Sequence, residues 1–378
     1  MVQETCYGWG EIRRGLDKAM LLIVLSLFAL GLVSIYSAGV GVRTSTALNA
    51  LKQLSWGLVS AVAYVAVLRI GYQNFVRFSY WIYGGTLVLL MVLLLTGTVS
   101  RGAASWFRFG SVSFQPAELG KVSLILVLSR FCSRYPPDTL KKLASTLLIA
   151  GLGVVLILLQ PDLGSSLVYC AIIFVILTVA GTPGKYLGGL VMTGIIALPF
   201  FWSTLKTYQK LRLVVFLDPY IDPQGAGYNV IQSRIAVGSG GLWGKGFLHG
   251  TQGRLHFLPE PHTDFIFSVF SEEFGFVGGV VVVLLFALLF WRLLRAAFRT
   301  KDTRAKLLCV GVVAWTWFQV MESIAMSMGL APITGLPLPL FSYGGSSLLM
   351  TAVGLALAQS VAISPVRDDL PAIWRRES

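Results

Sequence analysis

Long apolar stretches, broken by short polar or basic connections, run along almost the whole chain. Crossing a bilayer takes about 20 mostly apolar residues per helix. Ten segments fit that pattern, near 19–38, 52–68, 78–98, 114–131, 143–160, 163–181, 185–203, 264–291, 307–328 and 346–363. No stretch is left over for a soluble domain, so residues 1–378 are expected to form one all-α polytopic membrane domain of about ten helices. The first segment is long and is followed by further spans, which argues for a permanent helix over a cleaved signal peptide.

One connection stands apart. Residues 204–262, between the seventh and eighth segments, form a loop of a length that is usually either functional or disordered. Its stretch "VVFLDPYIDPQGAGYNVIQSRIAVGSGGLWGKGFLHG" is too rich in large apolar and aromatic side chains for disorder. Its glycines, with Pro219 and Pro223, predict tight turns around short helical pieces, notably Tyr228 to Val237. A structured cap over one membrane face follows. A second uncharged, turn-rich stretch, "ITGLPLPLFSYGGSS", reads either as an ordinary loop or as a segment dipping back into the bilayer edge.

Composition agrees with a membrane class: 55% of residues are hydrophobic and only 12% charged, against about 25% in a soluble domain. The net charge of +13 raises the question of nucleic acid, but its distribution answers it. Arg13, Arg14 and Lys18, then Arg69 and Arg77, Arg130 to Lys142, Lys185, Arg292 to Lys306, and Arg367 to Arg376 fall in alternate connections. By the positive-inside rule both termini, residues 1–18 and 364–378, are expected in the cytoplasm and the 204–262 loop outside. That outer loop nevertheless carries Lys206, Lys210, Arg212, Arg234, Lys245 and Arg254, which topology alone does not account for. The four cysteines are scattered, with no CxxC pair, and suggest neither a metal site nor a disulfide framework.

Each ionisable group within or at the end of a span asks for a reason, since burial at the membrane centre costs about 2.5–3.5 kcal/mol. The groups are Glu118, Lys121, Asp162, Asp264, Glu272, Glu273 and Glu322. Glu118 and Lys121, three residues apart, share a helix face, which fits either a structural ion pair or a site at a polar cavity. Asp162, in "LLQPDLGSS", is read first as a helix cap. Glu272 and Glu273 are expected to be paired deeper in the bundle. Asp264, in "FLPEPHTDF", allows two readings that do not exclude each other: a cap for the eighth span, or a partly desolvated carboxylate suited to take a proton from a hydroxyl.

The stretches "FQPAELGK", "QPDLGSS", "GYNVIQSRIAVGSGGLWGKG", "FLPEPHTDFIFSVFSEEFGFVGG" and "PITGLPLPLFSYGGSS" together resemble the SEDS family of bacterial shape, elongation, division and sporulation proteins. The resemblance covers nearly the whole chain, and "GTQGRLHFLPEPHTDF" looks like the elongation branch more than the division branch. It implies a ten-helix peptidoglycan glycosyltransferase that polymerises lipid II, the undecaprenyl diphosphate-linked disaccharide-pentapeptide, on the outer face of the cytoplasmic membrane. A class B penicillin-binding protein is the implied partner. By motif position the family's essential aspartate falls on Asp264, and its functional glutamate and lysine on Glu118 and Lys121. Family members often carry an arginine before the tryptophan of "RGAASWFRFG", where this chain has Ser105, so Arg101 or Arg108 would have to substitute.

On that reading Asp264 is the base, and Lys121, Lys210, Arg212 and Arg101 or Arg108 offset the charge of the diphosphate, which accounts for the basic loop. Gln232, Ser233 and Ser239 are candidate hydrogen-bonders to sugar or phosphate, or else stabilisers of short loop helices. The residues make no cofactor certain; a bound divalent metal cation is allowed to share the task of offsetting the diphosphate, though no residue cluster reads as its ligand set. Two other functions compete: a flippase for the lipid-linked precursor, which would spread ionisable residues through the midplane, and a scaffold that only holds the penicillin-binding protein.

Overall fold

The computed structural model describes residues 6–39, 46–96, 98–100, 103–109, 112–255 and 257–368. The described residues form the helices α1 (Trp9–Gly15), α2 (Lys18–Gly39), α3 (Thr46–Ile70), α4 (Tyr72–Arg77), α5 (Ser79–Thr96), α6 (Pro116–Arg134), α7 (Leu140–Leu159) and α8 (Leu163–Val179). These continue as α9 (Gly184–Thr204), α10 (Thr207–Leu217), α11 (Ala226–Ser239), α12 (Thr251–Arg254), α13 (Ile266–Arg299), α14 (Thr303–Met328) and α15 (Gly345–Asp368). Each of the ten apolar segments falls on one of α2, α3, α5 to α9 and α13 to α15.

Among the described residues, eight of these helices are long and apolar enough to cross a membrane. Of the other two, α8 has only 17 residues, and α6 carries Glu118, Lys121, Arg130 and Arg134 in its 19. The helices sort by enclosure. In α15 83% of the spanning window is buried and in α14 72%, against 28% in α2 and none in α9. The centre of the bundle is therefore α14 and α15, with α6 and α8 packed on α14, and α2, α3 and α13 around them. Outward-facing Leu58, Leu95, Ile196 and Phe200 are what a lipid solvent selects and water would not.

One departure from an all-helical chain is small. Strands β1 (Thr98–Ser100), β2 (Ala103–Phe109) and β3 (Val112–Phe114) make an antiparallel sheet in the order β1-β2-β3. Phe107 lies opposite Phe114 and Thr98 opposite Trp106. Spacing between apolar spans carries no signal for so short a sheet.

The long loop is structured, as its composition predicts. The predicted piece Tyr228 to Val237 lies within α11. Asp218 accepts from Tyr220 N, and Asp222 accepts from Gly225 N and Ala226 N, setting the turns around Pro219 and Pro223. Helix α11 seats between α13 and α14: Ser233 Oγ meets Ser268 Oγ at 2.7 Å and donates to Ser327 O at 2.6 Å. Arg234 Nη2 donates to Gly329 O at 2.8 Å, satisfying a carbonyl at the C-terminal end of α14.

The 34-residue α13 is broken at Gly275 (φ 67°, ψ −165°), and the break fastens the loop. Lys245 N and Gly246 N donate to the carbonyls of Glu272 and Glu273, while Phe276 N and Val277 N donate to those of Gly241 and Leu242. Backbone groups released by the break are thus re-satisfied by the loop, the condition for a broken helix in a membrane protein. Glu272 adds Lys245 Nζ at 2.7 Å and both Thr251 N and Oγ1 at 2.8 Å, and Glu273 accepts from Ser37 Oγ of α2. The two glutamates expected to pair within the bundle therefore both hold the loop, Glu273 through the backbone of Leu248 and Gly250, and Glu273 holds α2 as well.

Candidate active site

Asp264 lies on a cavity of about 500 Å³ enclosed by the head of α6, the start of α8, α10, and the segments 260–264 and 332–347. The local sequence fixes its place. The residues just before it are zipped to the "LFSYGG" stretch: Tyr343 N donates to His262 O at 2.9 Å, and Ser342 Oγ to Thr263 O at 2.7 Å. That stretch is held in turn by the buried Gln53 of α3, which donates to Ser342 O at 3.1 Å and accepts from Gly344 N at 3.2 Å. Leu336, Leu338, Leu340 and Phe341 are buried. Protein therefore covers this non-helical backbone, as a segment dipping into the bilayer edge requires.

The N-cap of α13 is Phe265, without a side-chain cap, so the capping role allowed for Asp264 falls one residue later and to a group that cannot fill it. Asp162 does cap. It accepts from Ser165 N at 3.0 Å and Ser165 Oγ at 2.8 Å at the head of α8, as expected. It also accepts from Gln115 Nε2 at 3.2 Å and lines the same cavity as Asp264.

Glu260 is a third carboxylate lining the cavity, together with Arg212, Tyr208 and Tyr343. Arg212 stacks toward Tyr208 at 5.8 Å and donates to Ile333 O at 3.4 Å. The His262 ring meets Tyr343 edge-on at 5.6 Å; its burial lowers the imidazole below its usual 6.5, against a smaller upward pull from Glu260. Leu163, Leu167 and Leu213 complete an apolar side. Among the described residues, no three His, Cys, Asp or Glu side chains gather closely enough to hold a metal ion.

Of the residues nominated from sequence, Asp264 and Arg212 meet at this cavity. Glu118 and Lys121 do not: they form a 2.6 Å ion pair one turn along α6 from Gln115, 1% and 0% exposed, with Lys121 Nζ 5.6 Å from the Trp315 ring. Lys210 is half-buried on α10 and Gln232 half-buried on α11, and neither lines the cavity. Ser233 is buried between α13 and α14, Ser239 Oγ donates to Ala236 O at 3.0 Å, and neither lines the cavity. Arg101 lies outside the described residues, and Arg108 is placed only as a backbone position in β2 opposite Ser113. Tyr208, Tyr343, Thr334 and Trp106 were not anticipated, because aromatic and hydroxyl side chains carry no distinguishing pattern in a chain this apolar.

The chain has clear counterparts among known proteins. The cell cycle protein family model for FtsW, RodA and SpoVE matches residues 18–365. Peptidoglycan glycosyltransferase MrdB of Escherichia coli (strain K12) is 37% identical over 355 residues, covering 93% of this chain and 94% of that protein. Peptidoglycan glycosyltransferase RodA of Treponema pallidum (strain Nichols) is 33% identical over 420 residues, covering 91% and 97%. Among solved structures, a chain from a peptidoglycan synthase complex that coordinates polymerization and crosslinking matches with a TM-score of 0.80 at 32% identity, covering 96% of this chain and 99% of that one. The rod shape determining protein RodA of Thermus thermophilus matches with a TM-score of 0.70 at 30% identity, covering 92% and 96%. With the model matching all but the ends of the sequence, the chain belongs to the FtsW/RodA/SpoVE family of cell cycle proteins.

Proposed function

We propose that this peptidoglycan glycosyltransferase of the bacterial membrane extends glycan strands from lipid II at the outer face, with Asp264 as its general base. One observation carries the reading: Asp264 and Arg212 share a cavity that is also lined by the apolar Leu163, Leu167 and Leu213. An amphiphile with a diphosphate between sugar and polyprenyl tail needs a carboxylate, a cation and an apolar wall in that proximity.

In the reaction, the Asp264 carboxylate takes the proton of the 4-hydroxyl on the N-acetylglucosamine of one precursor. That oxygen bonds to C1 of the N-acetylmuramic acid at the end of the glycan, and the bond from C1 to undecaprenyl diphosphate breaks. The diphosphate leaves with the electron pair beside Arg212, whose planar guanidinium suits phosphate oxygens. Direct displacement inverts C1, and no second carboxylate is required as nucleophile. A divalent cation would add charge at the diphosphate. The chain supplies no ligand cluster for one among its described residues, so no step is assigned to it.

The same reading places ten spans across the membrane, both termini in the cytoplasm, the 204–262 loop outside, and a class B penicillin-binding protein as partner. A flippase is less well supported, because Asp162, Glu260 and Asp264 gather at one cavity instead of tracing a path through the bundle. With purified protein and lipid II, Asp264→Asn should reduce glycan polymerisation, read on a gel, by about a hundredfold or more. Polymerisation near the wild-type rate would remove Asp264 from the chemistry. Growth of chains separates this activity from lipid II inversion in vesicles, which a flippase would retain.

A further inference from the structure

The family reading leaves Glu322 unused. It lies on α14, among the most enclosed spans, at 8% exposure. A carboxylate there is costly and is kept only for a reason. Its Oε1 accepts from Thr334 Oγ1, while Oε2 is buried with no hydrogen-bond partner among the described residues.

Thr334 belongs to a three-residue strap, Ile333 to Gly335, that lines the cavity. The strap is held at two points of different origin. Arg212 of the loop donates to Ile333 O at 3.4 Å, and Glu322 of the bundle holds Thr334. Beyond them Gly335 takes φ +76°, and a Cβ added there would sit 3.7 Å from Asp264 Oδ2. The strap therefore runs from the guanidinium to the carboxylate, and at Gly335 it comes close to Asp264 without a side chain.

We propose that Glu322 is a positioning residue: through Thr334 it clamps the Ile333–Gly335 strap and so sets the spacing between Arg212 and Asp264. The inference rests on the roles given to Arg212 and Asp264 above. Glu322 is not among the residues that line the cavity, but it lies close enough to Asp264 to act on it as a like charge as well as through the strap. Its distinguishing property is that it spends stability: an apolar side chain in its place is better suited to α14, so fold and rate should respond in opposite directions.

The test uses full-length protein in detergent with lipid II, scoring polymerisation and thermal unfolding together. Glu322→Leu and Thr334→Val should each lower the polymerisation rate about tenfold or more, since small misplacements of reacting groups have large effects on rate. Glu322→Leu should leave the unfolding temperature unchanged or raised. Glu322→Gln, which keeps an acceptor for Thr334, should recover most of what Leu loses. The Leu/Val double variant should be no slower than the slower single, because both cut one contact. The clamp is overturned if Glu322→Leu polymerises at the wild-type rate, if the two single losses multiply, or if the rate falls only in step with the unfolding temperature. Asp264→Asn assayed alongside separates the premises: its activity would overturn the base assignment, whereas wild-type rates in Leu and Val variants with Asp264→Asn silent overturn the clamp alone.

Discussion

Replacing Gly275 with alanine tests how the long loop is fastened. At φ 67° and ψ −165° the backbone occupies a region nearly exclusive to glycine. An added Cβ would stand 2.3 Å from Gly244 N and 2.6 Å from Leu242 O, both backbone atoms with no freedom to yield. The conformation alone costs of order 1–3 kcal/mol in an L-residue. Displacing the loop also breaks the four backbone hydrogen bonds between 241–246 and 272–277, worth about 0.5–1.5 kcal/mol each. Even the low end of both ranges totals about 3 kcal/mol, which corresponds to roughly a hundredfold shift in the equilibrium for local opening. In hydrogen exchange read by mass spectrometry, the amides of Lys245, Gly246, Phe276 and Val277 should exchange about a hundredfold faster in Gly275→Ala. Amides in the centre of α14 should be unaffected. Unchanged exchange at those four positions would mean that the break in α13 does not hold the loop.

Three further outcomes follow from the same packing. Lys121→Met leaves the Glu118 carboxylate buried without its partner and should cost about 3–5 kcal/mol, seen as lost yield and a lower unfolding temperature; the Glu118→Leu/Lys121→Met double should recover most of it, and a double as unstable as the single would refute the pairing argument. Burial would raise Asp17, but the two hydrogen bonds from Arg292, at 2.6 and 2.7 Å, and one from Met20 N hold its carboxyl below 3.8, so its contribution is present at neutral pH and is lost only as pH falls through that lowered value. Asp17→Asn should therefore lower stability at pH 7 by about 1.5–3 kcal/mol, and an identical thermal transition would count against it. For His262, whose folded-state pKa is lowered, the stability it contributes is full above about 6.5 and is lost as pH falls from there. Unfolding temperature should thus drop more steeply on acidification in the wild type than in His262→Phe, and equal slopes would show that His262 does not titrate on unfolding.

The sequence made the spans legible because lipid imposes one strong constraint, a length of apolar residues, and each of the ten segments coincides with a helix. Asp264 and Arg212, which line one cavity, stand out in the sequence for a related reason, since a carboxylate and a cation are conspicuous in such company. What it did not show was contact. "SEEFG" reads as acids to be paired within a bundle, yet Glu272 turns to Lys245 and Thr251 because Gly275 opens the helix beside it. Glu118 and Lys121 were correctly placed on one face, but their sealing depends on the Trp315 ring from α14 and the close packing of Tyr169 on Gly120. No spacing rule encodes either neighbour.

These contacts also bear on Asp264. A capping residue would be held by the helix it starts, but Phe265 occupies that position. The segment leading to Asp264 is fixed from behind, by the pairing of His262 and Thr263 with Tyr343 and Ser342, and those residues are fixed by Gln53. The loop on the other side of the cavity is anchored to α13 through Gly275 and Glu272 and reaches the wall through Arg212. Asp264 and Arg212 therefore hang from separate parts of the bundle, and residues 333–335 are where the two supports meet. A change in that strap would alter their separation without disturbing either support, which is why rate should be more sensitive there than stability.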